Sequence, residues 1–206
     1  MPNADFFFFE ASPGLLVGLI VPVVLWAVLL FIGKRVPPVV KIPGMPCGIG
    51  GLLSFLLFCF SFEAAWSLWT FGRALGEVIR VAVMDAAFIW PAVKTLIPSL
   101  FASVAAVGVL VLLAVGRSPA ALWTSVVLLW VAGPVNDWLE SVILGVPFAP
   151  GQAFAGVSVF TVVATVYLLF SRRPAFTYGT RGAKKIAAQY AAMVRDAVKA
   201  DEGGAR

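Results

Sequence analysis

The 206-residue chain contains no histidine, and Asp, Glu, Lys and Arg together make up only 12% of it. Histidine is the commonest metal ligand and a frequent axial ligand of haem, so its absence argues against haem electron transfer and histidine-based acid–base chemistry. Soluble domains carry about 25% charged residues and about half apolar ones. Here 61% of residues are hydrophobic, and the mean hydropathy is +1.00. The apolar blocks leave no room for a soluble domain between them, and the membrane is read as the solvent. Cysteine is nearly absent too. Cys47 and Cys59 would stand about 18 Å apart along one helix, well beyond the roughly 7 Å a disulfide spans. They read as small apolar core residues. No nucleic-acid motif, phosphate loop or cofactor motif is present. No basic n-region precedes the first apolar run, so that run reads as a retained span, not a removed leader.

What the chain does have is a series of long apolar stretches, which predict an all-α polytopic membrane protein with five transmembrane helices. The first covers 14–32, with Pro22 as an internal kink; Phe6–Phe9 before it suit the bilayer surface. Next comes a linker containing Pro37, Pro38, Pro43 and Pro46, too dense in proline for a helix and best read as extended. The second span, 47–70, opens on Gly48, Gly50 and Gly51, carries a single carboxylate at Glu63, and ends near Trp66 and Trp69. Over 72–90, Leu75, Val78, Ile79, Ala82, Ala86 and Ile89 share one helical face, with Arg73, Glu77 and Arg80 opposite. This pattern predicts an amphipathic helix lying on the outer membrane surface, ended by Trp90-Pro91. The third span is 95–115. The fourth, 119–143, has Ser118 as N-cap, Pro119 at the first helical position and a Gly133-Pro134 kink. The fifth, 151–170, is rich in small residues such as Gly156, which allow close helix approach. Residues 174–206 read as a basic amphipathic tail, with Ile186, Tyr190, Met193 and Ala197 opposite Arg181, Lys184, Arg195 and Lys199. In domain terms the chain divides at about 46 and 173, with the four later spans between.

Only Arg73, Arg80 and Lys94 of the fifteen basic residues fall on one side of this layout. Lys34, Arg35, Lys41, Arg117, Arg172, Arg173, Lys184, Lys185 and the rest share the other. The positive-inside rule then places the N-terminus outside and the C-terminus in the cytoplasm of a bacterial inner membrane. Lys34, Arg35, Arg117, Arg172, Arg173, Lys184 and Lys185 become topology anchors and contacts for anionic lipid headgroups on the cytoplasmic face.

Gly48-Ile49-Gly50-Gly51-Leu52-Leu53 and the run from Tyr167 through Ser171-Arg172-Arg173-Pro174-Ala175-Phe176 to Thr177 resemble the YdgK-like small bacterial inner-membrane proteins. The resemblance covers about 46–177, with Leu52 where that family tends to have Trp and Pro174 interrupting the closing run. It implies four spans for this region and no chemistry.

Two polar features stand out. Glu63 reads either as a proton or cation site facing the bundle interior, or as an acid reaching the outer interface to pair with Arg73, Arg80 or Lys94. Asn136, Asp137 and Glu140 form a polar patch after the Gly133-Pro134 kink, either a cation or acid–base site or a solvated helix end. Gly48, Gly50, Gly51 and Gly156 read as helix-entry and packing residues. With no nucleophile–base pair, metal set or cofactor site, the leading expectation is a non-enzymatic accessory or assembly subunit. Its partners would be other membrane subunits, possible hosts being respiratory or photosynthetic complexes. The alternative is a small ion-coupled transporter using Glu63, Asp137 and Glu140. A lipid-modifying membrane enzyme ranks last.

Overall fold

The computed structural model describes residues 13–84, 86–145, 147–148 and 150–204, and Phe6–Phe9 lie outside these. Among the described residues there are helices and no strands. The helices are α1 (Pro13–Arg35), α2 (Leu52–Met84), α3 (Ile89–Val115), α4 (Pro119–Trp130), α5 (Asn136–Leu144), α6 (Gln152–Phe170), α7 (Arg172–Tyr178) and α8 (Arg181–Gly204). Four stretches are long and apolar enough to cross a membrane: α1, α2, α3 and the joined α4–α5 rod. A fifth results if α6 and α7, bent by 64° at their junction, count as one span. This is the architecture of an all-α membrane protein.

The core lies where α2, α3, α4 and α6 meet. Leu53, Leu57, Phe60, Val109, Leu110, Leu113, Leu122 and Leu168 are buried there. Large apolar residues such as Phe55, Val104, Trp123, Val127, Val163 and Phe170 are exposed instead. In water so continuous an apolar surface would aggregate; against acyl chains it is the surface required. Hydrogen bonds from side chains to backbone carbonyls stitch the helices together. The Ser103 hydroxyl donates to the Ser67 carbonyl at 2.9 Å, and the Trp26 indole donates to the Ser54 carbonyl at 3.1 Å. α1 approaches closely at Gly33, where a β-carbon would collide with Ile49 and with the Ala114 carbonyl.

Three boundaries differ from the sequence reading. α2 does not open at Cys47 but at Leu52, because Gly48 (φ +72°) and Gly51 (φ +53°) hold left-handed turns that a helix cannot include. No separate surface helix starts at residue 72: α2 continues to Met84, since nothing between Trp69 and Val83 breaks a helix and the Arg80–Glu77 pair (3.2 Å) supports its last turns. Pro91 does not end a helix either. It sits in the first turn of α3, where a missing N–H goes unneeded, and the chain reverses instead in the single 3₁₀ turn Ala86–Phe88. The Ser118–Pro119 start of α4 is as expected, with the Ser118 hydroxyl accepting from the Ala121 N–H at 3.1 Å.

The largest departure is at 174–180. The sequence assigned it to a basic surface tail, but Pro174, Phe176, Thr177 and Tyr178 are buried. The Tyr178 hydroxyl donates to the Leu113 carbonyl at 2.6 Å, in the last turn of α3. The Val39 and Val40 N–H groups donate to the Thr177 and Phe176 carbonyls at 3.2 and 3.1 Å. Arg117 donates to the Gly33 carbonyl at 2.7 Å and to its neighbour Gly116 at 3.0 Å. Burial holds the Arg117 guanidinium below its usual pKa, with the adjacent Tyr178 acting the other way.

Because Leu113 has no helical partner left for its carbonyl, Tyr178→Phe should cost about 1–3 kcal/mol. A clear fall in the melting temperature of the detergent-purified protein would show it. Tyr190→Phe, at an exposed position, should leave the melt unchanged.

Candidate functional site

At the end of the bundle away from Arg117 and Arg173, five elements surround a cavity of about 370 Å³. α2 contributes Glu63, Trp66, Ser67 and Thr70; α3 contributes Thr95, Pro98, Ser99 and Ala102. The turn between α4 and α5 supplies Ala132 and Gly133, α5 supplies Asn136, Asp137 and Glu140, and α6 adds Val157. Ligand sites fall in about this size range, roughly 300–1,000 Å³. Glu63 and the Asn136-Asp137-Glu140 patch, separate in sequence, are therefore brought to one site.

The local folding of α4–α5 explains how. Pro134 has no N–H to give the preceding turn, and the helix widens over Val131–Val135, with Gly133 leaving helical geometry (φ −101°, ψ −110°). The widened turn re-aims α5 so that Asn136, Asp137 and Glu140 face α2 and α3 rather than lipid. Gly133 is buried there, and a β-carbon on it would lie 3.0 Å from Val157 Cγ1 and 3.2 Å from Thr161 Oγ1. The wide turn thus also allows α6 to come close.

Three carboxylates line the cavity, and no Lys or Arg does. Arg80 is engaged with Glu77, and Lys94 stands 6.0 Å over the Trp90 ring. Among the described residues no cation forms an ion pair with Glu63. The Asn136 Oδ1 atom is shielded from solvent and, among the described residues, has no hydrogen-bond partner. Three or more Asp, Glu or Cys side chains nowhere cluster at metal-binding spacing among the described residues. The carboxylates are spread around a space, not converged on a point. Such a lining suits a cation held by charge, hydroxyl and amide oxygens and the Trp66 ring.

Beside it lies a smaller, open groove of about 230 Å³, lined by Phe60, Leu129, Phe160, Thr161 and Gly156. Phe60 and Phe160 meet edge to face there, with centroids 5.6 Å apart. Glu63, Ala132, Gly133 and Val157 border both spaces. Glu63 is thus the carboxylate shared by the polar cavity and this more apolar groove, which opens to the surface at the exposed Gly156 and Val157.

The remaining residues singled out from sequence lie elsewhere. Gly156 is exposed, with open space where its β-carbon would be, so it makes no close helix approach. A β-carbon on Gly50 would lie 2.6 Å from Arg173 Nη1, and one on Gly51 3.5 Å from its Cζ, while Gly48 has no such neighbour. Arg173 therefore lies on Gly50–Gly51, and Thr177 Oγ1 is 3.4 Å from the Gly48 carbonyl oxygen. Lys34, Arg35 and Arg172 are exposed near this end, and Arg35 lies 4.1 Å from the Phe31 ring centre. Cys47 and Cys59 are free thiols. Sequence reasoning missed the hydroxyl-bearing wall formed by Ser67, Thr70, Thr95 and Ser99. Its signal was a run of Ser and Thr on the faces of α2 and α3 toward Glu63.

No family model, no curated protein and no solved structure matches the chain.

Gly133→Ala forces a side chain against Val157 and Thr161 and should destabilise the bundle by about 1–3 kcal/mol. Gly156→Ala, in open space, should leave thermal stability in detergent unchanged or slightly raised. Equal melts for the two variants would contradict the close approach at Gly133.

Proposed function

We infer that the protein is a small cation carrier, whose site is the cavity of Glu63, Asn136, Asp137 and Glu140. The observation that carries this reading is the meeting of three carboxylates from α2 and α5 around one space with no basic lining residue. Intramembrane acids are rare and tend to mark ion or substrate paths. The unpaired Asn136 oxygen offers a further acceptor to a ligand N–H or to a hydrated ion. The absence of a tight ligand cluster among the described residues favours a protonated amine or a hydrated monovalent cation over a directly coordinated metal. Glu63, bordering both spaces, is the group that would pass the cation, or a coupled proton, between them. In this reading the protein is not an enzyme. It has five spans in a bacterial inner membrane, the cavity opens toward the outside, and the basic end faces the cytoplasm.

The accessory-subunit reading draws on the lack of catalytic and cofactor motifs and on surface helices at both membrane faces, of which the outer one is the continuation of α2. Mass spectrometry of the same purified preparation separates the two, since a stoichiometric partner would support the subunit.

Glu63→Gln in proteoliposomes should reduce uptake of ammonium, alkylammonium or potassium ions at least tenfold, and Asp137→Asn should weaken it too. Glu77→Gln, outside the cavity, should match the wild type. Wild-type protein that moves none of these ions, or a Glu63→Gln protein with full flux, would remove the carrier reading.

A further inference from the structure

The C-terminal helix α8 leaves one face half covered. Ala183 is buried and Ala187 half-buried against Ile42 and Phe176, at the base of the bundle. Tyr190 and Val194 continue the same stripe at helical spacing, and Ile186 and Met193 flank it. All four are exposed. The first two turns of α8 thus turn this face toward the bundle, and the next two carry it, still facing the same way, past the bundle's edge. Lys184, Lys185 and Arg195 are exposed on the other faces of the helix. An apolar stripe with basic residues around it is the pattern of a helix lying in a bilayer interface, its cations reaching lipid phosphates. The charge is of the sign that anionic headgroups attract, and it is continuous with Lys34, Arg35, Arg172 and Arg173 at the same end of the molecule. A second copy of this chain would bring like charges together along this face and is disfavoured.

We propose that α8 is an anionic-lipid sensor: its stripe of Ile186, Tyr190, Met193 and Val194 seats in the interface of a bilayer containing phosphatidylglycerol-type lipid, held by Lys184, Lys185 and Arg195. This surface is independent of the cation cavity and stands or falls separately from it. The test is backbone hydrogen exchange over 184–195 in the full chain, reconstituted in nanodiscs of phosphatidylcholine with or without phosphatidylglycerol. Exchange should be at least about tenfold slower with the anionic lipid, and the difference should shrink in high salt. A Lys184→Glu/Lys185→Glu/Arg195→Glu protein with an unchanged melting temperature should lose the difference. Equal exchange in both lipids, equal protection already in detergent, or a triple variant that keeps the effect would each overturn the proposal.

Discussion

Next to hydrocarbon a helix end has no water to donate to its last carbonyls, and leaving one bare costs several kcal/mol. The basic end of this molecule is built around that constraint. Helices that stop there are closed by donors from other parts of the chain. Arg117 serves the Gly33 carbonyl of α1, and Tyr178 serves the Leu113 carbonyl of α3. The N–H groups of Val39 and Val40 serve the last turn of α7. The linker can do so because Pro37 and Pro38 keep it extended, so its N–H groups stay free of local partners and available to a neighbour. Once these donors are set, α1, α3 and α7 are tied in register, and the core of α2, α3, α4 and α6 closes above them.

The opposite end has the reverse character. There α5 is re-aimed by the wide turn at Gly133–Pro134, hydroxyl groups face inward from α2 and α3, and the space between them remains open. Its charged side chains are all acids, set among hydroxyl, amide and apolar groups. The chain passes from α2 to α3 beyond this space, through the short reversal at Ala86–Phe88.

The part of this that could be read from sequence is the part that rests on local interactions. The all-helical, membrane-spanning character, the Ser118–Pro119 helix start and the kink at Gly133–Pro134 depend on hydropathy and on residues whose backbone preferences act within a turn, and these were legible. The polar patch of Asn136, Asp137 and Glu140 was legible as a patch. That it faces Glu63 depends on how far the wide turn rotates α5, which no local rule gives. The continuation of α2 past Trp69 was misread because charges at Arg73, Glu77 and Arg80 suggested a change of environment. A helix changes environment without changing backbone, and only a breaker would have ended it. The burial of Phe176 and Tyr178 was missed for the opposite reason. Arg172 and Arg173 mark a stop for the span, but they do not fix the course of the residues after them. An aromatic pair after a basic stop is as able to fold back under the bundle as to leave it.

Arg173 shows how these levels combine. As a sequence signal it anchors topology. In the structure its guanidinium lies over Gly50 and Gly51, at the place where α2 begins, and a side chain at Gly50 would displace it. Tyr167 lies beside it, against Ser171 and the Leu53 backbone. The positive-φ glycine that starts α2 and the basic stop that ends α6 are therefore halves of one contact. Small residues at the first are needed because the second is large and charged. The same contact fixes the start of α2, and with it how far along the bundle Glu63 sits. The depth of the carboxylate at the hollow end is thus set, through about three turns of helix, by a close approach at the capped end.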